Sequence, residues 1–127
     1  MVIESNLHQG KGIVRGDKFS IPRTVLGVPS GVTISNAYLT LKASIGLADP
    51  GLFQKSITSA NSPGTGQIED TGASGVGKLR FDLGTADTLL MTADTSYFYD
   101  IAITLSSGDK LTLETGVTSA KAQVTTT

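Results

Sequence analysis

The octapeptide GASGVGKL at residues 72–79 places Gly72, Gly77 and Lys78 at the spacing of a phosphate-binding loop. In such a loop, backbone amides and a helix N-terminus cradle the phosphates, and a Ser or Thr after the lysine holds the magnesium. Leu79 stands where that hydroxyl is needed. The sequel KLRFDL then alternates Leu79, Phe81 and Leu83 with polar residues, which is the period of a strand and not of a helix. The stretch reads as a glycine-rich turn entering a strand, and no nucleotide is expected there.

Other residues that could carry chemistry are scattered. Arg15-Gly16-Asp17 spells an integrin-type tripeptide, but it leads straight into strand residues and reads as a tight turn with solvated charges. Glu69 and Asp70 are adjacent, so in a strand they face opposite sides and cannot share a reacting atom. His8, the single histidine, lies in the N-terminal segment MVIESNLHQGKG, which supplies no rigid frame for a Ser–His–Asp triad. There are no cysteines, so disulfides, thiolate nucleophiles and thiolate metal sites are excluded. The aspartates show no calcium-loop spacing. No catalytic residue, cofactor-binding residue or metal ligand is therefore assigned, no cofactor is expected, and the chain is not expected to be an enzyme.

The elements that must position these residues are strands. The chain of 127 residues holds 15 glycines, 13 serines and 17 threonines, a mixture that disfavours helices and suits short strands joined by turns. Along SYFYDIAITL, Tyr97, Tyr99, Ile101, Ile103 and Leu105 share one face, which is assigned to the core. Phe98 falls on the opposite face, open to either core or interface. A hairpin to KLTLET around Gly108 is expected to oppose Leu105 to Leu111 and Ile103 to Leu113 across an odd loop of three or five residues.

Further strands are expected at GIVRGDKFSI, with Phe19 and Ile21 inward, and at AYLTLKASI, with Leu39, Leu41, Ala43 and Ile45 inward. Others are LFQKSIT (Phe53 and Ile57 inward), a short piece around Ile68, KLRFDL, and a last strand near Ala120 to Val124. GTADTLL, with Thr85 or Asp87 as a cap, is the one short helix and crosses between sheets. About eight strands with frequent Gly/Pro turns predict an all-β fold, an immunoglobulin-like antiparallel β-sandwich. Tyr97 or Tyr99 is placed to bond back to the connection before its strand, although the Cys and Trp of antibody domains are absent. Residues 12–127 form this single domain, preceded by an arm, 1–11.

The net charge of −1 and the lack of a basic block argue against nucleic acid as a partner. No run of about 18 apolar residues suggests a membrane span.

The succession GDKFSIPRTV, ISNAYLTLKAS, LFQKSIT, GQIEDTG, KLRFDLGTADT, SYFYDIAITLSSGDKLTLETG covers most of residues 12–124. It resembles a group of short tailed-bacteriophage virion proteins that are similar to the immunoglobulin-like N-terminal domain of upper baseplate proteins. The resemblance implies a non-enzymatic structural protein of the virion, an adaptor of the tail, baseplate or fibre-attachment apparatus, with other phage structural proteins as partners in a symmetric assembly. Capsid decoration is the alternative, and a carbohydrate-binding host-recognition module a more distant one. Neither a membrane nor a small-molecule substrate is implied. Val2, Ile3 and Leu7, the apolar residues of the arm, are the expected interface.

Overall fold

In a computed structural model, the structure describes residues 2–4 (backbone), 13–44, 46 and 51–122. Among these, nine strands and one helical turn follow in the order β1 (Val2–Glu4), β2 (Ile13–Val14), β3 (Phe19–Leu26), β4 (Ile34–Lys42), β5 (Phe53–Ile57), β6 (Gly66–Thr71), β7 (Val76–Leu83), α1 (Thr85–Thr88), β8 (Ser96–Leu105) and β9 (Lys110–Lys121). They form a β-sandwich. One sheet has the order β1-β3-β7-β6, the other β2-β9-β8-β4-β5. In immunoglobulin lettering the first is A-B-E-D, and the second is G-F-C extended by C′ and by a split first strand.

Period-two burial builds the core. Ile21 and Val25 of β3, Leu79, Phe81 and Leu83 of β7, Ala37, Leu39 and Leu41 of β4, and Ile101, Ile103 and Leu105 of β8 are all buried between the sheets. Phe53, Ile57 and Ile68 join them. Phe19 is only half-buried against this cluster.

Several expectations are corrected. GIVRGDKFSI is not one strand, because Gly16, at φ 88°, turns the chain and sends β2 and β3 into different sheets. β2 pairs in parallel with β9, Ile13 opposite Ala120, while β3 pairs antiparallel with β7. Ala43 lies beyond the end of β4 and is exposed, whereas Ile45 lies outside the described residues.

KLTLET and the strand near Ala120 are one continuous strand, β9. Its hairpin loop is odd but takes the shorter form. The Leu105 amide donates to the Asp109 carbonyl at 2.8 Å, which leaves Ser106–Gly108 as the loop. Ile103 therefore opposes Leu111, not Leu113, and Leu111 at the hairpin end stays 38% exposed. A bulge then skips Leu113 and sets Glu114 opposite Ile101, on the inward side.

The short helix is α1. Its N-cap is Gly84, and Asp87 acts from within the turn, accepting from the Gly84 amide at 2.7 Å. Tyr97 makes the expected tie: it is 4% exposed, and its hydroxyl accepts from the Thr92 amide at 2.6 Å.

Of the segment 1–11, Val2–Glu4 pair with Thr24–Leu26 and continue the first sheet. The side chains of Val2 and Ile3, and all of Leu7 and His8, lie outside the described residues.

Candidate docking surface

The decoy loop resolves as the β6–β7 turn. The Gly75 amide donates to the Gly72 carbonyl at 2.9 Å, Gly77 already belongs to β7, and Leu79 is 1% exposed. No helix receives a phosphate there, because the chain continues as strand. Arg15-Gly16-Asp17 is a turn as expected, but Arg15 is not simply solvated: its Nε donates to the Met91 carbonyl at 2.7 Å and its Nη2 to that of Leu89 at 3.4 Å. Glu69 and Asp70 part company at a second bulge. Glu69 pairs with Arg80 at 3.0 Å, and Asp70 accepts from the Gly72 amide at 2.9 Å. Among the described residues, no three His, Cys, Asp or Glu side chains gather to hold a metal.

The two outer faces of the sandwich differ in kind. On the four-stranded sheet, Ser20 and Arg80 both bond Asp82, at 2.8 and 3.2 Å, while Arg80 also reaches Glu69 and Asn61. These polar residues bond one another across the face, which also carries Val76, 37% exposed, at the end of β7.

On the five-stranded sheet, the residues facing away from the core form two adjacent rows across three strands. Lys42, Phe98 and Val117 make one row, and Thr40, Asp100 and Thr115 the next. Together they line a groove of about 420 Å³, floored by Tyr99 and Gly116. Phe98 is 37% and Val117 61% exposed, so the row holds apolar surface that folding does not bury. Thr40 sits low in the wall, 4% exposed, where its hydroxyl accepts from Gln54 at 2.9 Å. Such a surface is suited to receiving apolar side chains, with a carboxylate, an ammonium group and two hydroxyls around them.

Behind the groove lies a buried charge cluster. Arg23 follows the inward alternation of Ile21 and Val25, and its side chain is 1% exposed. It meets the Glu114 carboxylate with Nε and Nη2, both at 2.8 Å, in a two-point contact between the sheets. Tyr99 donates to the same carboxylate at 2.5 Å. Its phenol pKa is pushed up to about 12, first by burial and then by the bond to Glu114. Burial alone would raise the Glu114 pKa, but the hydrogen bonds from Arg23 and Tyr99 outweigh it, and the net shift is downward. The Tyr99 ring needs the glycine opposite it, because a Cβ on Gly116 would lie 2.8 Å from Cε1.

Reading the sequence alone misses both groups. Arg23 could have been found, since the alternation of Ile21, Arg23 and Val25 points it into the core and a buried guanidinium demands an acid. Glu114 could not, because strict alternation from Leu111 and Leu113 sends it outward and only the bulge reverses it. The chain matches no protein-family model, no curated protein and no solved structure.

Proposed function

We propose that this chain is a non-enzymatic structural component of a tailed-bacteriophage virion, an adaptor that holds neighbouring proteins in the tail, baseplate or fibre-attachment apparatus. The observation that supports the reading is the β-sandwich with strand order A-B-E-D over G-F-C, an architecture compatible with the immunoglobulin-like baseplate domains that the sequence resembles. The groove on the five-stranded sheet is the surface through which it would hold a neighbour. The charged residues behind that groove serve to join the two sheets, which suits a rigid spacer.

The test is the place of the chain in intact particles. Virions produced where the gene is carried are purified and imaged by electron cryomicroscopy, with mass spectrometry giving copy number. Three or six copies around the tail axis support the adaptor. Hundreds on the shell would mean capsid decoration, and absence from particles would end the virion reading.

A further inference from the structure

The residue pattern of β9 and its placement disagree. Strict alternation from Leu111 runs through Leu113, Thr115 and Val117, each apolar or β-branched, as an inward face of a strand requires. The bulge instead sets Glu114, Gly116 and Thr118 opposite Ile101, Tyr99 and Tyr97. Leu113 is left only partly buried against the core, and Val117 is 61% exposed. A strand that stands against its own local pattern is held there by something outside it.

The two ends of the segment do not decide the matter. Before it, Ile103 opposes Leu111 and Ala102 opposes Thr112. After it, Ser119 opposes Ser96, the Ala120 carbonyl accepts from the Asp94 amide at 2.9 Å, and the Lys121 carbonyl accepts from the Arg15 amide at 2.8 Å. Between these anchors, residues 113–118 of β9 lie along residues 97–101 of β8, one residue too many. The extra residue has two places to go. At Leu113 it gives the register described above. At Thr118 it would set Leu113 opposite Ile101, Glu114 opposite Asp100, Thr115 opposite Tyr99, Gly116 opposite Phe98 and Val117 opposite Tyr97, with both anchors unchanged. That second register turns Leu113 and Val117 inward together.

Three contacts oppose it. Glu114 would leave Arg23, whose side chain is 1% exposed, as a buried guanidinium stripped of its two-point contact. Glu114 would also stand directly across from Asp100, carboxylate by carboxylate. Thr115 would bring a Cβ against the Tyr99 ring, in the place where one on Gly116 would lie 2.8 Å from Cε1. The ring is itself held by Glu114, to which its hydroxyl donates, so this third obstacle depends on the first.

We infer that β9 has two registers, and that the Arg23–Glu114 pair is the latch that keeps residues 113–118 in the one with Val117 outward. Without the pair, the bulge moves to Thr118, Val117 turns into the core and Glu114 turns out. The groove beside Phe98 then loses its valine, so a contact inside the sandwich decides the shape of the outer surface. The latch belongs to the chain itself: particles lacking the chain would sink the virion reading and leave this one untouched.

The chain has no cysteine, so Val117→Cys supplies a single thiol, and its alkylation by iodoacetamide reports which way residue 117 faces. Cysteine packs as a small apolar group when turned inward. With Arg23 and Glu114 intact, the thiol should react nearly as fast as in the urea-unfolded chain. Two double replacements, each made in this background, then differ at one position. Arg23→Met with Glu114→Leu keeps an apolar side chain for the inward place and Gly116 against Tyr99, so the register holds and the thiol stays reactive. Arg23→Met with Glu114→Thr removes the charges and offers the core nothing in exchange, so the bulge moves and the thiol reacts at least about tenfold more slowly. Loosening of the fold cannot imitate that protection, because it exposes the thiol. With Val117 restored, NMR contacts in the threonine variant should place Leu113, and not residue 114, across from Ile101.

A protected thiol with Arg23 and Glu114 intact, a thiol that stays fast in the threonine variant, or residue 114 still across from Ile101 there would each overturn the inference. So would a threonine variant that fails to fold where the leucine variant folds, because a second register would have given it a structure to adopt. Failure of both to fold would overturn it too, since one register or the other should accept each uncharged pair.

Discussion

Replacing Glu114 by Gln tests the buried charge cluster most directly. The substitution keeps the size of the side chain and removes the charge, leaving the Arg23 guanidinium, 1% exposed, without its counter-ion. Removing one partner of a buried pair costs about 3–5 kcal/mol, most of it the penalty of an uncompensated charge. Glu114 is 15% exposed, so solvent relieves part of this and the lower end, about 3 kcal/mol, is the expected loss. With a urea slope of about 2 kcal/mol/M, the unfolding midpoint at neutral pH should fall by about 1.5 M. The double variant Arg23→Met with Glu114→Leu removes both charges and should lie within about 1 kcal/mol of wild type or above it.

Acid supplies a second reading of the same cluster. The Glu114 pKa is lowered by folding, so its contribution is present above the unfolded carboxylate value of 4.5 and is lost as pH falls through the folded value. Wild type should therefore weaken below about pH 4.5 more steeply than the double variant. If Glu114→Gln unfolds within about 0.5 kcal/mol of wild type at neutral pH, the bridge contributes little and the argument for it is wrong.

Three further outcomes are expected. Ile103→Ala, at a fully buried position, should cost about 2–5 kcal/mol in the same urea titration, whereas Thr104→Val should be neutral or stabilising, because the Thr104 hydroxyl is buried without a partner. Raising pH from 10 to 12 should destabilise wild type, since unfolded Tyr99 ionises first while its folded pKa is about 12, and Tyr99→Phe should flatten that stretch of the stability curve. Magnesium with ATP or GTP should leave the melting temperature unchanged, and a nucleotide-dependent rise would restore the phosphate-loop reading of residues 72–79.

The parts of the fold that were legible in the sequence are those where local pattern and tertiary environment agree. β7 and β8 carry unbroken alternation, and Leu79, Phe81, Leu83, Ile101, Ile103 and Leu105 are all buried as that alternation requires. Tyr97 was legible because a corner tie depends only on a tyrosine early in its strand and on the connection just before it. What escaped depends on events that have no local signature. Gly16 divides one apparent strand between two sheets, and the alternation on either side of it cannot reveal the change of layer. Ala43 continues the inward period of β4 on paper, but the strand ends at Lys42 and the period ends with it.

The bulge at Leu113 matters most, because by leaving that residue unpaired it sets the phase in which three later features of β9 meet β8. Without it, Leu113 would oppose Ile101, and Glu114 would face solvent on the outer side of β9. With it, Glu114 turns inward to Arg23, and the phase of every later residue of β9 is reversed. Gly116 then falls opposite Tyr99, where only a glycine leaves room for the ring, and Val117 falls opposite Phe98 on the outer face. The same slip that brings a carboxylate into the core therefore places a valine beside the exposed phenylalanine of the groove. Internal support and outer surface are built by one irregularity. A one-residue deletion at Leu113 would take out the extra residue and leave Glu114 opposite Ile101 in regular alternation, so both features should survive it, whereas Glu114→Gln weakens the first and Val117→Asp the second.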